Sequence, residues 1–478
     1  MISFSFPPTQ IAQCVLTKYQ NLSKAGKPTR KNEKKTEWTV LAGIVLESQN
    51  GIECVALGTG TKCLSEKELC GFGDLVSDSH AEIITKRAFT IYLLDQINLY
   101  LSENNSSSIF KGDSHSPNSK TLHDQQVRCI SEHSNKLKLG NVKFHMYISQ
   151  CPCGSASTKL LLEKLESNKT KQPINLSFEV MVDSHKHTLE SESNLDLQFK
   201  RTKVDIDVQD TTDSNNKADI NGDIDDKLLR GRSDFSKEFS LRTKPGRIDA
   251  DSTLSMSCSD KITMWNVTGI QSAILSLLVE PIYLSSIIIS KPCIDIDVVI
   301  SINDRISKIT DLPYPHILNK PQIVSIPLEF ESSQESILKK LKETTLVPCE
   351  ASINWFLESS KDNKNQKAYQ EVTVKGKKQG SSKRKLKQVL DQKSRSRLCK
   401  FEVYKKFTDV WKEYHKAFNT SDKNDEDQEC SVCKNFQNES YEGVKKLSKN
   451  YQESKEVVKK TTFKSWIEKP KFVDSFKL

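Results

Sequence analysis

His80 and Glu82, in Asp78-Ser79-His80-Ala81-Glu82, are the pair of residues whose types and spacing could do chemistry. At the start of a helix, with a Ser or Asp ahead as cap, the imidazole can hold a metal ion and the carboxylate can reach an activated water. A water activated in this way is a nucleophile at neutral pH, and the carboxylate can carry its proton. Three residues with one free position recur by chance, so the pair alone reads equally well as a polar helix start. Two further ligands are needed.

Sulfur is the obvious source. The chain has 13 Cys, an odd number scattered over 478 residues, which points to free thiols in a reducing compartment and to a metal rather than a disulfide framework. Ser149-Gln150-Cys151-Pro152-Cys153-Gly154 offers Cys151 and Cys153, with no Cys two or three positions later. A second sulfur must come from elsewhere, and Cys258, in Met256-Ser257-Cys258-Ser259-Asp260-Lys261 before a helical run, is the best candidate. Cys430-Ser431-Val432-Cys433 has no second pair at zinc-finger spacing and is a weak metal candidate.

The elements that must position these residues alternate between helical and strand patterns. Residues 9–22 have helical spacing with Thr9 as N-cap; residues 38–47 and 52–58 form two β-rich runs joined by Ser48-Gln49-Asn50-Gly51, a hairpin signal. The helix opened by His80 extends to about Leu101. Residues 144–148, 282–290, 294–302 and 322–327 read as strands, and 159–165 and 265–279 as helices. The Ser/Asn-rich stretch 102–139 reads as a flexible insertion and the acidic stretch 183–234 as a disordered one. This is an α/β pattern.

Lys and Arg number 71 and Asp and Glu 62, a formal charge of +9, so distribution carries more than the total. Basic residues gather at 24–35 and 375–387, the latter readable as a solvated loop, an import signal or a phosphate contact. The N-terminus lacks the basic start and apolar core of a signal peptide, and no run approaches the roughly 18 apolar residues of a membrane span. The expectation is a soluble protein in the cytoplasm, the nucleus or both.

The strings His80-Ala81-Glu82-Ile83-Ile84 with Lys86-Arg87, Ser149 to Gly154, and Ser255 to Ile262 with Trp265-Asn266 and Gly269-Ile270-Gln271 resemble the editase-type adenosine deaminases acting on RNA. The resemblance implies zinc held by His80, Cys153 and Cys258, with Glu82 as the proton shuttle and Cys151 outside the ligand set. It implies a cytidine-deaminase-like three-layer α/β/α core with a mixed sheet, residues 1–478 forming one editase domain whose basic part, 370–478, completes an anion site. That anion is inositol hexakisphosphate, and the implied contacts are Lys86, Arg87, Lys261, Lys377, Tyr441, Lys445, Tyr451, Lys455, Trp466, Glu468, Lys469 and Asp474. Met264 stands where many members carry an Arg.

About 80 residues precede His80, which leaves no room for a duplex-binding domain, and Thr243-Lys244-Pro245-Gly246-Arg247 lacks the Glu that duplex editors use behind a flipped base. Both features suit an adenosine already unstacked in a loop. The chain therefore resembles the tRNA-specific branch, which makes inosine 3′ of the anticodon of alanine tRNA. The expectation is a monomeric hydrolase of amidine C–N bonds acting on tRNA, not on long duplex RNA or at a membrane. Thr61, Lys62, Lys244 and Arg247 would face substrate, with Lys159 as a further phosphate contact. The alternatives are an inactive RNA-binding relative that keeps zinc as a staple and, less well matched to the chain length, a small-nucleoside deaminase.

Overall fold

The computed structural model describes residues 5–102, 108–111, 136–169, 228–231, 237, 239–246, 249–290, 292–293, 295–341, 343–358, 367–381, 388–418 and 438–478. Most of 102–139 and 183–234, together with Arg247, 382–387 and Cys430 to Cys433, lies outside them. Residues 163–224 form a separate small unit, and everything below concerns the other, Met1–Leu162 with Asp225–Leu478.

Its centre is an eight-stranded mixed sheet. The strands are β1 (Leu41–Ser48), β2 (Gly51–Thr59), β3 (Lys143–Ile148), β4 (Ser286–Ser290), β5 (Gln322–Ile326), β6 (Ala351–Glu358), β7 (Lys367–Val374) and β8 (Lys377–Lys378), in the order β5-β4-β3-β1-β2-β6-β7-β8. The expected hairpin is β1 and β2, closed by the pair Ser48 and Gly51, the latter at φ 113°. Strands β3, β4 and β5 run parallel to one another; the remaining neighbours are antiparallel.

Helices α1 (Pro8–Gln20) and α2 (Ala81–Leu101) cover opposite faces of this sheet. Ala42 pairs with Gly58 and Gly43 with Leu57, so the two glycines point to opposite faces. A Cβ on Gly43 would meet Val15 of α1 at 2.5 Å, and one on Gly58 would meet Ile84 of α2 at 2.6 Å. The missing side chains therefore let each helix lie close against β1 and β2. Helix α2 is buried nearly all round, because α5 (Lys400–Phe418) packs on it from outside.

Four expectations from the sequence are corrected. Helix α1 starts on Pro8 at its first position, where a missing N–H costs nothing, and not on a Thr9 cap. The helix expected at 265–279 is instead α3 (Cys258–Thr268), begun by the Ser257 side chain accepting from Asp260 N–H and ended by Gly269 at φ 76°. The apolar run 294–302 is not a strand but α4 (Asp295–Ile302), burying Val298, Ser301 and Ile302 on one side. It lies in the connection between the parallel strands β4 and β5, which a tight turn cannot join. Residues 282–285 also stay outside β4; Ile282 N–H donates to the Gln271 side chain at 3.0 Å.

The C-terminal part adds α6 (Tyr441–Leu447) and α7 (Lys449–Thr461). A second apolar cluster, Met264, Val267, Ile306, Val458 and Phe463, fixes α7 to α3. Met264 thus spends its side chain on packing. Among the described residues no helix is long and apolar enough to cross a membrane.

Candidate active site

Three chain segments meet at one end of the sheet, where β1 begins and β2 and β3 end. Beyond β2 the chain makes the short strand Thr61–Cys63, which pairs antiparallel with Asp78–His80. His80 is both the last residue of that strand and the residue ahead of α2, with extended backbone and no side-chain cap bond, so the expected Ser or Asp cap is absent. Asp78 Oδ1 instead accepts from His80 N–H at 3.1 Å. Glu82 falls in the first turn of α2 and is 3% exposed.

Cys153 arrives from the end of β3. Gly154 has φ 104°, and a Cβ there would lie 2.1 Å from Ser257 Oγ, so a residue without a side chain is what lets this loop close on α3. Ser259 N–H donates to Cys153 O at 3.0 Å and Cys258 N–H to Cys153 Sγ at 3.3 Å. Cys258 is the first residue of α3.

His80 Nδ1 lies 3.8 Å from Cys153 Sγ and 3.5 Å from Cys258 Sγ. Tetrahedral zinc, with Zn–S of about 2.3 Å and Zn–N of about 2.0 Å, holds its N and S ligands roughly 3.5 Å apart. One His and two Cys at this separation fit zinc in donor type and in spacing. Cys151 is not in this group: its thiol is buried and donates to Ala156 O at 3.1 Å.

The local charges agree with that reading. The hydrogen bond between the two sulfurs, assisted by His80, holds the Cys153 thiol well below its ordinary range despite burial; burial and the Cys153 thiolate push Cys258 up. Burial and Lys244 disfavour a charged His80, yet the Cys153 and Cys63 sulfurs hold it up at about 10. Glu82 is raised first by burial and then by Cys153. A carboxyl raised in this way holds a proton more readily than a free one, which suits a group that must take one up and return it.

Asp78 joins the zinc-type site to a set of cations. Its carboxylate accepts from Lys244 Nζ at 2.8 and 3.1 Å, Lys261 Nζ at 2.5 Å, Ser255 Oγ at 2.7 Å and the Cys63 thiol at 3.1 Å. Burial opposes its charge, but the two ammonium groups win and hold it well below the usual carboxylate range. Lys244, expected from sequence to face substrate, is 2% exposed and committed to this pair. A neighbouring carboxylate, invisible in a linear reading, decided its burial.

Beyond Lys261 the cations crowd. Lys86 reaches Ser272 Oγ at 2.8 Å, Arg87 donates to Leu398 O at 2.9 Å, and Lys469 to Ser77 Oγ at 3.2 Å. Burial, Arg87 and Lys261 bring Lys86 down to about 7; burial with Lys400, Lys261 and Arg87 brings Lys469 well below its ordinary value. Asp474 answers Lys400 and, at 2.7 Å, Lys445. Among the described residues, the six cations Lys86, Arg87, Lys261, Lys400, Lys445 and Lys469 thus have two paired carboxylates, Asp78 and Asp474, and Asp78 also serves Lys244. Packed cations with so few counter-charges fit a bound polyanion.

Lys400 was not expected here. Lys377, which was, lies on β8 at the sheet edge and is half-buried. Of the other expected contacts, Tyr441 stacks on Phe476 at 5.2 Å, Trp466 on Phe463 at 5.7 Å, and Tyr451 meets His316 edge-on at 6.3 Å. Burial lowers Lys455, and Glu468 is exposed and paired with Lys459.

On the outer side, Thr61 is the cross-strand neighbour of His80, and its buried Oγ1 has no hydrogen-bond partner among the described residues. Lys62 is paired with Glu350 at 2.7 Å, both well exposed, and Lys159 lies 3.9 Å from Asp297. An exposed pair such as Lys62–Glu350 is worth only about 0–1 kcal/mol and exchanges readily.

Comparison with known proteins matches this geometry to a family. Residues 56–470 match the model of the adenosine-deaminase (editase) domain. The chain is 30% identical over 470 residues to the tRNA-specific adenosine deaminase 1 of Drosophila melanogaster, covering 96% of this chain and 94% of that protein. It is 26% identical to the Homo sapiens protein of the same name, over 98% and 99% of the two. To the double-stranded RNA-specific editase Adar of Drosophila melanogaster it is 30% identical, over 66% of this chain and 38% of that one. A match that runs from the second strand of the sheet to the tail beside the cations makes this chain a member of the editase family of adenosine deaminases.

Proposed function

We propose that the protein hydrolyses adenosine to inosine in tRNA, releasing ammonia, at the adenosine 3′ of the anticodon of alanine tRNA. The observation that carries the reading is the His80, Cys153 and Cys258 donor triangle beside a buried Glu82, in a chain aligned over nearly its full length with proteins named tRNA-specific adenosine deaminases. Zinc on these three ligands would supply Lewis acidity, bringing the pKa of a water towards about 7. Glu82 accepts one proton of the attacking water and passes it to the purine ring nitrogen as the C–O bond forms; it then takes the remaining hydroxyl proton and delivers it to the amine, so that the C–N bond breaks and ammonia leaves. Its elevated pKa suits both directions of transfer. Thr61, beside His80, offers a free hydroxyl to the substrate.

The fold reading that goes with this function is the three-layer arrangement of the cytidine deaminases. Inositol hexakisphosphate would sit among Lys86, Arg87, Lys261, Lys400, Lys445 and Lys469, with the chain monomeric in the cytoplasm or nucleus. The deciding experiment incubates the purified protein with alanine tRNA and sequences the product. Adenosine read as guanosine at the position 3′ of the anticodon is expected. Protein that holds one zinc yet forms no inosine in any tRNA would instead support a non-catalytic RNA-binding role.

A further inference from the structure

The basic stretch 24–35 has no part in the site described so far. It contains six Lys or Arg and one acidic residue, Glu33. The structure folds its second half into a hairpin, Arg30–Asn32 against Lys35–Trp38, and lays Thr345–Pro348 parallel to the second strand as a third member. This small sheet is anchored at the zinc-type end of the central sheet. Lys35–Trp38 leads directly into β1, Thr345–Pro348 leads directly into β6, and Gly60 N–H, at the turn into Thr61, donates to Val40 O at 3.1 Å. Glu350, two residues past Pro348, holds Lys62. The hairpin therefore projects from the same end of the fold at which Thr61 and His80 pair.

Burial and partners separate its framework from its free charge. Glu37 is buried, accepts from Thr29 N–H at 3.1 Å and Thr29 Oγ1 at 3.0 Å, and pairs with Lys31 at 3.0 Å; Arg30 donates to Asn32 O and Glu33 O within the turn. Lys34 is exposed and Lys35 half-exposed, and neither makes an ion pair among the described residues. Five steps along the chain, at no more than about 3.3 Å each, separate Thr345, the strand partner of Lys35, from Glu350, whose side chain holds Lys62, a span of at most roughly 17 Å. Two such ammonium groups at that remove, on a ribbon that starts beside a site for a nucleobase, suit phosphates of the substrate beyond the nucleotide held in the site.

We infer that the hairpin Arg30–Trp38 is an RNA-backbone contact surface, with Lys34 and Lys35 on the phosphates of the substrate outside the reactive loop. Lys62 would release Glu350 to join the same track. The inference rests on the proposed action on tRNA. It assigns affinity to the hairpin and leaves the identity of the edited base to the pocket.

The test is tRNA binding by the full chain and its Lys34→Glu/Lys35→Glu variant, measured with total tRNA over a range of salt concentrations. Each lost phosphate contact lowers the salt slope of log affinity by about 1, so the variant should bind at least tenfold more weakly with a slope smaller by about 2. Its deamination KM should rise in parallel, while zinc content and melting temperature stay at the wild-type values. Equal affinity and equal slope for variant and wild type overturn the inference even if the wild type edits tRNA. Wild-type protein that binds tRNA through this hairpin but forms no inosine would remove the proposed catalysis and leave the surface intact. Wild-type protein that binds no tRNA at all overturns both.

Discussion

Lys261 Nζ lies 2.5 Å from Asp78 Oδ2, so the residue two before His80 and the residue three after Cys258 form one buried ion pair. The strand that delivers the imidazole and the helix that delivers a thiolate are thereby tied together by charge as well as by any metal. Lys244 shares the same carboxylate at 2.8 Å. Replacing Asp78 by Asn would leave two ammonium groups in a largely buried site without a counter-charge. Removal of one member of such a group costs about 3–5 kcal/mol. The Asp78→Asn protein is expected to melt well below wild type and to hold less zinc, as read by calorimetry and metal analysis. An unchanged melting temperature would mean the pair is dispensable.

The same carboxylate sets an acid limit. The pKa of Asp78 in the fold lies well below 3.8, because the lysines outweigh burial, and Asp474 is depressed likewise by Lys400 and Lys445. For a depressed carboxyl the stabilisation is complete above the unfolded pKa and disappears as pH falls from there through the folded value. Urea unfolding should therefore show stability falling steeply below about pH 4. Asp78→Asn should flatten that fall.

Glu82 is separable from the metal. It is buried beside the donor triangle, and the three donor atoms that fit zinc all belong to other residues. Glu82→Gln should keep one zinc per chain by metal analysis and lose about 10²- to 10⁴-fold in turnover, the usual worth of a positioned general acid or base. Loss of zinc in this variant would make Glu82 a ligand and not a proton carrier.

Lys86 reports on the cation cluster. Burial, Arg87 and Lys261 lower its pKa to about 7 when no anion faces it. Its folded pKa is thus below its unfolded value, so the stability it permits is present at high pH and lost as pH falls through about 7. Protein made in cells unable to supply inositol polyphosphates should melt higher at pH 9 than at pH 6. Adding inositol hexakisphosphate should raise the melting temperature most at pH 6.

Lys400 and Lys377 give the sharpest contrast. Lys400 is 12% exposed and bonded to Asp474; Lys377 is on an edge strand. Lys400→Ala should lower the phosphate that co-purifies with the protein and reduce its solubility. Lys377→Ala should change stability by no more than about 1 kcal/mol. Equal phosphate content in the two variants would place the anion elsewhere.

Much of the site chemistry is legible in the chain, because what a side chain can ligate or protonate depends on its type. His80, Glu82, Cys153 and Cys258 stand in short strings whose residue types point to hydrolytic metal chemistry, and the resemblance selects them as a set. Strong periodicity likewise marks α2 and the β1 and β2 hairpin, since alternation and a 3.6-residue repeat follow from backbone geometry. The run 294–302 was misread because a short apolar stretch carries no period that separates strand from helix, and only the need to cross between parallel strands makes it α4.

Position in space was decided by the tertiary structure alone. Cys153 and Cys258 are 105 residues apart and meet because Gly154 lets a loop close on the start of α3. Lys244, Lys377 and Lys400 are the same residue in three basic-looking contexts. One is buried on Asp78, one sits at a sheet edge, and one joins the cations at Asp474. The cost of burying an ammonium group depends on which carboxylate the fold brings beside it, and that is a property of the assembled fold that no single residue carries.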